Sequence, residues 1–494
     1  MWTKETLQQL IKEKLADYKF IVVSNRQPYS FEYSGRKIKY TKTIGGLVTA
    51  VDPVMQTAGG VWVAYSSGDA DTDIIDKNNT VKVPPEKNTY TQKLVFLSKE
   101  EENGYYYGYA NQSLWPLCHI AYRQPIFDSA HWQYYKNVNQ KFAESVSELF
   151  DEQKPFIWLQ DYHLTLCAKY IKEKKPDAIV SIFWHIPWPN PEVFRVCPQK
   201  LEILEGLLSN DLLGFHIRYH CHRFLETCEL ELEAKVDWEE SSVTYKGHKT
   251  LIRDFPISVD FEQLAEMASD NKVTKEVDNL PSQIDPPYEI LALSIDRVDY
   301  TKGIIEKIRA VDRFLEKYPQ YQKKFVFFQK GALSRLHIKT YKNLINEIQS
   351  VAEEVNWKYH TGNWYPIVLL NSKIDYTTHL ALYRACDLCL VGSLHDGMNL
   401  VAKEFISANV DLKGILMLSK FTGSARELKE AVLVNPYDTD GFADAIKEAI
   451  ELPVDEKKER IKKMRNTIQE NNIYKWAGKF ITHLVKSGEQ CPEP

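Results

Sequence analysis

The sequence lacks any apolar run that approaches the roughly 18 residues needed to span a bilayer. It also lacks an excess of charge, since 62 Lys and Arg against 67 Asp and Glu leave a net charge of −5. The first absence predicts no membrane-spanning helix, and the second argues against general nucleic-acid binding. Neither absence argues against a locally basic pocket for a phosphorylated ligand, which needs only a few Arg and Lys residues.

Several common catalytic signatures are missing as well: a GxSxG elbow, a P-loop and a catalytic Cys–His motif. These absences argue against hydrolases with a nucleophilic Ser or Cys and against P-loop nucleotide hydrolysis. Eight cysteines are scattered along the chain, and no secretion signal is recognisable. We therefore expect reduced cysteines and a cytoplasmic location.

Short apolar runs alternate with helical stretches along the chain of 494 residues, a pattern typical of βαβ units in two domains. The predicted strands of the first half are Phe20–Ser24, Val61–Tyr65, Leu94–Ser98, Phe156–Gln160, Ile179–Trp184 and Leu212–Phe215. Those of the second half are Ile290–Ser294, Phe325–Phe328, Leu388–Val391, Ile415–Ser419 and Val432–Val434. The pattern predicts an α/β protein with parallel sheets, and a doubly wound domain in the second half.

Prolines at positions 281, 286 and 287 mark a change of character near the middle of the chain. We place a domain boundary there, which assigns 1–280 to a first domain and 281–472 to a second. The segment 473–494 begins with a further predicted helix. Apolar residues at helical spacing before Tyr18 predict an amphipathic helix that docks on the body, not a signal peptide.

The segment 393–405 follows a predicted buried strand and opens a helix. A helix start offers unpaired N–H groups and a positive dipole, and both suit a diphosphate. Gly397 would let the backbone approach a ligand closely, and Glu404 could accept two ribose hydroxyls. The alternative is that Asp396 only caps the helix while Glu404 faces water.

Arg297 and Lys302 lie in another turn between a strand and a helix of the second half. Two cations at such a turn could neutralise a leaving diphosphate. The alternative is a surface turn in which Arg297 pairs with Asp299. The presence of the 393–405 turn in the same predicted sheet favours the phosphate interpretation.

In the first half, Arg26 and the pair Gly45–Gly46 follow the first predicted strand. Arg26 could hold a phosphate with two hydrogen bonds, although a plain loop with a glycine pair explains the segment equally well. Asp161 and His185 follow two other buried strands and could bond sugar hydroxyls, although a His at a strand end is more often structural. Aromatic side chains that could stack on a pyranose ring are Tyr106, Trp115 and Trp188.

A zinc site is a weaker hypothesis. His216 and His220 have the i, i+4 spacing that suits zinc on one face of a helix. No acidic general base lies between them and no second group of ligands is evident, so we expect no metal. Cys386 and Cys389 are predicted to be buried small hydrophobes.

Taken together, eight segments resemble the trehalose-6-phosphate synthases, in the order of that family, from about residue 20 to 485. They are Val23–Arg26, Asn111–Pro116, Asp161–Leu164, His185–Pro187, Arg297–Gly303, Asp396–Glu404, Phe421–Gly423 and Leu433–Pro436. The resemblance implies a GT-B fold of two facing Rossmann-like domains with the active site in the cleft, and a final helix that returns to the first domain. It implies retaining transfer of glucose from a nucleoside-diphosphate glucose to glucose 6-phosphate.

The resemblance also implies roles for residues at the matching positions. The catalytic set would be Arg297, Lys302, Asp396 and His185, with the two cations on the donor diphosphate. The donor-binding set would be Gly46, Asn399, Leu400, Val401 and Glu404. The acceptor-binding set would be Arg26, Tyr106, Trp115, Asp161 and Arg335. No residue is an obvious nucleophile, and no cofactor is implied. A metal is not needed, because Arg297 and Lys302 supply the positive charge.

The sequence departs from the family pattern mainly in its first half. Gln160 stands where His is usual, the stretch 63–69 lacks a second Trp, and the loop between Arg26 and Gly45 is long. In the second half, His395 replaces a usual Arg. Another acceptor such as glycerol 3-phosphate therefore stays open, as do a non-catalytic sugar-phosphate sensor and a sugar-nucleotide epimerase. The expected partners are a nucleoside-diphosphate glucose, a sugar phosphate and a separate phosphatase for the product; the donor base and a homo-oligomer stay open.

Overall fold

The computed structural model describes residues 1–43, 45–332, 335, 337–371 and 374–489. The chain forms two compact units, one built from 1–257 together with the final helix from Ile473, the other from 258–472. Within the described ranges, no helix combines the length and the apolar character needed to cross a membrane.

The first unit holds a ten-stranded sheet and a separate two-stranded hairpin. Its strands are β1 Tyr18–Arg26, β2 Tyr29–Ser34, β3 Lys37–Lys42, β4 Val61–Tyr65, β5 Thr80–Val83, β6 Tyr90–Val95, β7 Lys154–Gln160, β8 Ile179–Phe183, β9 Leu212–Phe215, β10 Lys235–Asp237, β11 Ser242–Tyr245 and β12 His248–Asp254. The order in the large sheet is β10-β11-β12-β9-β8-β7-β1-β4-β6-β5. The strands from β12 to β6 in that order are parallel, and the edge strands β5, β10 and β11 are antiparallel to their neighbours.

The helices of the first unit, besides the final one, are α1 Lys4–Lys14, α2 Gly46–Ala58, α3 Asp71–Ile74, α4 Lys99–Glu102, α5 Trp115–His119, α6 Ser129–Ser147, α7 Cys167–Lys174, α8 Pro191–Phe194, α9 Lys200–Leu207 and α10 Arg218–Glu231. A π-helical segment, Asn103–Leu114, joins α4 to α5. The predicted N-terminal helix is confirmed as α1, which buries Leu7 and Ile11 and caps its start through Thr3.

Two local predictions for this unit were wrong. The strand expected at Leu94–Ser98 is β6, which ends at Val95, because Ser98 instead caps α4 in a reciprocal pair with Glu101. The stretch after Arg26, expected to be a polar loop, folds into the β2–β3 hairpin. Gly35 provides its turn with φ of 65°, a conformation that costs glycine little.

The second unit is a six-stranded, wholly parallel sheet. Its strands are β13 Ile290–Arg297, β14 Phe325–Ala332, β15 Ile367–Leu370, β16 Leu388–Val391, β17 Ile415–Ser419 and β18 Val432–Val434, in the order β15-β14-β13-β16-β17-β18. Leu291, Ala292 and Leu293 of the central strand are fully buried, as expected for a sheet covered on both faces. The predicted doubly wound domain is confirmed.

The helices of the second unit are α11 Phe261–Ala268, α12 Asn271–Gln283, α13 Ile304–Lys317, α14 Lys339–Tyr359, α15 Tyr376–Ala385, α16 Leu400–Ala408, α17 Thr439–Glu451 and α18 Val454–Glu470. The division between the units falls between Ile257 and Ser258, upstream of the predicted boundary at 280/281. The reason is packing: α12 runs through Pro281, and Arg384 of α15 donates to the Ala268 carbonyl and the Thr274 hydroxyl. Residues 258–280 therefore belong to the second unit.

The final helix, α19 Ile473–Glu489, packs on the sheet of the first unit. The Phe480 ring stacks 4.6 Å from Trp158 of β7, and Trp476 meets Phe183 of β8 edge-on at 5.1 Å. A side chain at Gly214 of β9 would lie 2.7 Å from the Phe480 ring, so this strand approaches the helix closely. These aromatic contacts attach the last segment to the first unit.

Candidate active site

In both units the strand order reverses beside the central strand. In the second unit, β13 lies between β14 and β16, and in the first, β1 lies between β4 and β7. Ligands of such sheets bind beyond the carboxyl ends of the strands at this switch point. Arg297 ends β13 and Asp396 follows β16, while Arg26 ends β1 and Asp161 follows β7. The predicted residues therefore flank the switch point of each sheet.

The turn after β13 is held tightly against the strand β16. Gly303 caps the start of α13 with φ of 60°, and a Cβ there would lie 2.1 Å from the Gly392 carbonyl oxygen. The amide of Leu394 also donates to the Thr301 carbonyl at 2.7 Å. The two phosphate-binding turns predicted from the sequence are thus fixed to each other through their backbones.

A cluster of predicted donor residues gathers around the Asp396 carboxylate. Its Oδ2 accepts from Lys302 Nζ at 2.5 Å and from Asn399 Nδ2 at 3.2 Å. Ser393, which the sequence analysis did not assign a role, donates to the same oxygen at 3.2 Å. Lys302 and Asp396, which are 94 positions apart, form an ion pair whose side chains are both about 13% exposed.

The start of α16 is capped by Asn399, so the interpretation of Asp396 as the helix cap is wrong. Asn399 has φ of 72°, and its Oδ1 accepts from the Ala402 amide at 3.3 Å. The hydrogen-bonding capacity of the first-turn amides, those of Leu400 and Val401 included, is not used by bonds within the helix. The geometry leaves these groups suited to an anion.

The loop before α16 is fixed from behind by the segment after β17. Ser424 donates to the Met398 carbonyl through its amide at 3.0 Å and its hydroxyl at 2.5 Å. A Cβ at Gly423 would lie 2.0 Å from the Gly397 carbonyl oxygen, so only glycine fits there. This contact explains why the short motif Phe421–Gly423 occurs together with the longer motif Asp396–Glu404.

Glu404 is half-buried on α16, and Lys403 beside it points elsewhere, into an ion pair with Glu427 at 2.6 Å. The Tyr383 hydroxyl donates to Glu404 Oε2 at 3.3 Å. Burial raises the pKa of the Glu404 carboxyl, and the bond from Tyr383 lowers it by a smaller amount. The alternative that Glu404 faces bulk water is therefore wrong, and a carboxylate in this position can accept hydroxyls of a sugar.

Arg335 lies in the second unit and contacts the turn after β13. Its Nη1 is 3.0 Å from Asp299 Oδ2 and 2.5 Å from the Tyr341 hydroxyl. Burial alone would raise the pKa of Asp299, but the charges of Arg335 and Arg297 and the Thr301 amide hold it below its ordinary value. The acceptor-binding role predicted for Arg335 remains a proposal, since the structure shows its guanidinium on Asp299.

In the first unit, Arg26 and Tyr106 come together, with Arg26 Nη2 3.1 Å from the Tyr106 hydroxyl. Tyr106 stacks on His163 at 5.7 Å between ring centres. Asn111, one turn further along the π-helical segment, donates to the Tyr106 carbonyl at 2.6 Å and accepts from the Tyr162 hydroxyl at 3.0 Å. An arginine and a phenol side by side are suited to a phosphate.

Asp161 and His185 form a second predicted pair in this unit. Asp161 has φ of 74°, an uncommon conformation for a non-glycine residue, and its Oδ1 accepts from the amides of Tyr162 at 2.9 Å and His185 at 3.1 Å. His185 Nε2 lies 2.8 Å from Gln160 Oε1. Backbone strain of this kind is concentrated at functional sites.

Burial, followed by the charge of His163, lowers the pKa of His185 to about 3. Above pH 6.5 the imidazole is neutral in both the folded and the unfolded chain. Below that pH the unfolded chain takes up a proton that the folded site does not, so the free energy of unfolding should fall by at most about 1.4 kcal/mol per pH unit. We expect a shallower fall for His185→Gln than for the wild type in urea unfolding between about pH 7 and pH 5.5. The exposed control His222→Gln should follow the wild type, and equal slopes for His185→Gln and wild type would contradict the assignment.

Two other predicted residues are placed less directly. Gly46 begins α2, next to Gly45, where an added Cβ would meet no described atom within 4 Å; Ile44 lies outside the described residues. Trp115 is 5% exposed, with its ring centre 4.0 Å from that of His119 and 5.8 Å from that of Tyr162. The roles of Gly46 and Trp115 in ligand binding stay predictions.

Two hypotheses from the sequence fail in the first unit. Trp188 cannot present its face to a sugar, because it is 1% exposed, packs on Phe194 and donates to the Thr227 hydroxyl. His216 lies before α10, which begins at Arg218, so His216 and His220 do not share a helix face; they contact the carbonyls of His185 and Trp188 instead. Within the described ranges, no group of three or more His, Cys, Asp or Glu residues could hold a metal.

The cysteines behave as the sequence predicted where the structure describes them. Cys386 and Cys389 are fully buried, and the seven described cysteines are free. Cys491 lies outside the described residues. Burial raises the pKa of the Cys389 thiol, which makes it a packing group and not a nucleophile.

The chain was compared with known proteins. Residues 18–486 match the family model of glycosyltransferase family 20. A trehalose-6-phosphate synthase of Mycobacterium leprae is 33% identical over 481 residues, which covers 96% of each chain. A bifunctional trehalose-6-phosphate synthase/phosphatase of Thermoproteus tenax is also 33% identical, over 95% of this chain but only 64% of its own length.

Solved structures agree with these matches. An Escherichia coli trehalose-6-phosphate protein bound to UDP-2-fluoro glucose has a TM-score of 0.84 at 30% identity, covering 95% of this chain and 99% of its own. A Burkholderia xenovorans α,α-trehalose-phosphate synthase (UDP-forming) in complex with glucose 6-phosphate has a TM-score of 0.83 at 29% identity, covering 94% and 99%. The predicted GT-B fold class and the predicted family are thereby confirmed. The chain belongs to glycosyltransferase family 20.

Proposed function

We propose that the chain transfers glucose, with retention, from UDP-glucose or a related nucleoside-diphosphate glucose to glucose 6-phosphate, which yields trehalose 6-phosphate. The observation that carries the proposal is the cluster of Lys302, Asp396 and Asn399 at the switch point of the second sheet. In this cluster a cation, a carboxylate and the residue that caps the helix start belong to one hydrogen-bonded group, which supports binding of a nucleotide sugar.

The second unit supplies the groups that a nucleotide sugar needs. Arg297 and Lys302 would bind the diphosphate, together with the first-turn amides of Leu400 and Val401, and Glu404 would hold the ribose. Before the donor arrives, Asp396 neutralises Lys302 at 2.5 Å. A diphosphate would then compete for the ammonium and leave the carboxylate for hydroxyls of the glucose.

The reaction that this arrangement supports needs no protein nucleophile. The bond between the glucose C1 and the leaving phosphate oxygen breaks as C1 bonds the anomeric oxygen of the acceptor on the same face. The proton of the acceptor hydroxyl passes to the leaving phosphate. Catalysis then rests on positioning and on the positive charge of Arg297 and Lys302, so we expect turnover without an added metal ion.

In the first unit, Arg26 and Tyr106 would bind the phosphate of the acceptor, and Asp161 and Trp115 would line its sugar. We expect Arg26→Gln to raise the KM for glucose 6-phosphate about tenfold while leaving the KM for UDP-glucose nearly unchanged, because a charge-assisted bond to phosphate is lost. The control Arg36→Gln changes another exposed arginine, which lies in the turn of the β2–β3 hairpin. An equal effect of Arg26→Gln on both substrates, or none, would argue against the acceptor assignment.

The proposal is tested by incubating the protein with UDP-glucose in EDTA and offering glucose 6-phosphate or glycerol 3-phosphate separately, with the product identified by mass spectrometry. A disaccharide phosphate from the first acceptor supports the proposal. A glucosylglycerol phosphate alone would replace the acceptor, and nucleotide release without any acceptor would favour an epimerase. Binding of glucose 6-phosphate without turnover would favour a sensor.

We propose in addition that a separate phosphatase acts on the product, because every site residue assigned above serves glucosyl transfer. A cytoplasmic location fits the seven free cysteines. A homo-oligomer would show as a mass larger than the 57.4 kDa chain in light scattering.

A further inference from the structure

A group of aromatic residues extends from Glu404 toward the end of β14. On α15, Tyr383 contacts Glu404, and the rings of Tyr383 and His379 meet edge-on at 4.8 Å. His379 stacks on Tyr376 at 5.8 Å with 17° between the planes. Burial, and next the positive charge of Lys330, lower the pKa of His379 to about 4, so the ammonium is near enough to act on the imidazole. We call Glu404, Tyr383, His379, Tyr376 and Lys330 the Lys330 cluster.

Lys330 is unusual among the buried lysines. Lys93, Lys307 and Lys403 are 0–2% exposed, and their ammonium groups pair with Glu148 at 2.9 Å, Asp296 at 2.5 Å and Glu427 at 2.6 Å. Lys330 is 8% exposed, yet among the described residues it forms no ion pair. Within the part of the chain that the structure describes, the hydrogen bond of its Nζ goes to the carbonyl of the adjacent Gly331, at 3.5 Å.

A buried ammonium without a counter-ion is costly, and burial accordingly lowers the pKa of Lys330. Such a group is retained in a protein when something else completes its hydrogen bonds. An ammonium has three donors and no acceptor. Whatever occupies this position must therefore offer an acceptor, such as a carbonyl oxygen.

The position of Lys330 indicates which part of a ligand would offer this carbonyl oxygen. It lies at the carboxyl end of β14, next to the central strand, where Ile295 of β13 is its register partner. If Glu404 holds the ribose of the donor, as proposed above, the base extends from the ribose along the neighbouring side chains. The flat rings of His379 and Tyr376 are suited to a planar base. Lys330 acts on His379 from near the carboxyl end of β14.

We propose that Lys330 reads the base of the sugar nucleotide by donating a hydrogen bond to a keto oxygen, as on uracil or guanine. This inference rests on the proposed function and narrows its donor class. Adenine has an amino group where uracil and guanine have that oxygen, so two donors would face each other in the pocket. Leaving a buried donor unsatisfied costs affinity for the wrong base.

The test is calorimetric titration of UDP, GDP and ADP into the whole protein without acceptor. We expect the wild type to bind UDP or GDP at least about tenfold more tightly than ADP, since a hydrogen bond to a charged group is at stake. Comparison of UDP with GDP identifies which keto base is used. In Lys330→Met the preference over ADP should disappear.

A matched control is Lys457→Met. Lys457 of α18 is half-buried, burial lowers its pKa as it does that of Lys330, and it donates to the Ile450 carbonyl of α17 at 2.9 Å. It should keep the wild-type ratio of dissociation constants. If Lys330→Met does not fold, as judged by its thermal unfolding, Lys330→Gln takes its place and should show a reduced ratio.

The inference is overturned if the wild type binds ADP as tightly as UDP and GDP, or if the Lys330 variant keeps the wild-type ratio. These outcomes are distinct from failure of the proposed function. A protein that forms no disaccharide phosphate but shows a Lys330-dependent preference for UDP would be a nucleotide binder that lacks the transferase activity. A protein that forms the product, and whose Lys330→Met variant keeps the wild-type ratio of dissociation constants for UDP and ADP, would be a transferase that recognises the base through other residues.

Discussion

Replacing Lys302 by alanine should lower kcat/KM for glucosyl transfer by about 10³-fold, and Arg297→Ala should do the same. The physical reason is that negative charge grows on the leaving diphosphate as the bond to the sugar breaks, and each cation stabilises that charge more than the ground state. The measurement is steady-state release of UDP with glucose 6-phosphate as acceptor. Lys302→Arg should keep more activity than Lys302→Ala, because the charge remains while its geometry changes.

The matched control for these variants is Arg309→Ala. Arg309 lies on α13 just after the same turn, but its guanidinium pairs with Glu354 at the surface, at 2.9 and 3.0 Å. Its loss should leave kcat/KM nearly unchanged. A fall of less than about tenfold in both Lys302→Ala and Arg297→Ala would be too small for groups that stabilise the transition state and would sink their assignment.

The second large effect concerns stability. Lys307 of α13 is fully buried, and its Nζ donates to Asp296 at 2.5 Å and to Ser294 at 2.6 Å. Lys307→Ala would leave the Asp296 carboxylate buried without its ion-pair partner, which typically costs about 3–5 kcal/mol. We expect a loss of this size in the free energy of unfolding measured with urea.

Coupling of the two residues separates the ion pair from general packing. If the loss comes from the unpaired carboxylate, Lys307→Met should lower the free energy of unfolding less in an Asp296→Asn background than in the wild type. The Asn side chain leaves no buried charge behind. Lys317 is on α13 as well, and Lys317→Ala, which breaks an exposed ion pair with Asp444 of α17, should change stability little. A small effect of Lys307→Ala on the free energy of unfolding would contradict the account. So would strictly additive effects of Asp296→Asn and Lys307→Met in this double-mutant cycle.

The sequence predicted the sheets well because their signals are local. β4, β9, β16, β17 and β18 have the predicted bounds, since continuous apolar runs between polar turns mark buried parallel strands. The hairpin β2–β3 was missed because its strands are largely exposed and carry many polar residues. The boundary at the prolines was misplaced because Pro281 is accommodated inside α12, and only packing shows to which unit that helix belongs.

The turns that carry the candidate site could be predicted from the sequence, but the contacts between their side chains could not. The pattern placed Lys302 and Asp396 at the ends of strands of one sheet, and the strand order then brought them within 2.5 Å. Spacing alone could not show that Asn399, and not Asp396, caps α16. The hydrogen bond of Ser393 to Asp396 and the role proposed for Lys330 were missed, since both depend on which side chains the fold brings around a buried group.

The stereochemistry of the product tests the central claim most directly. UDP-α-glucose labelled with ¹³C at C1 is incubated with glucose 6-phosphate and the protein in EDTA, and the anomeric carbon is followed by NMR. The account predicts that the label moves from the α-linked nucleotide to an α-configured glycosidic carbon of a disaccharide phosphate. A β-configured product, release of labelled free glucose, or dependence of the transfer on an added metal ion would contradict it.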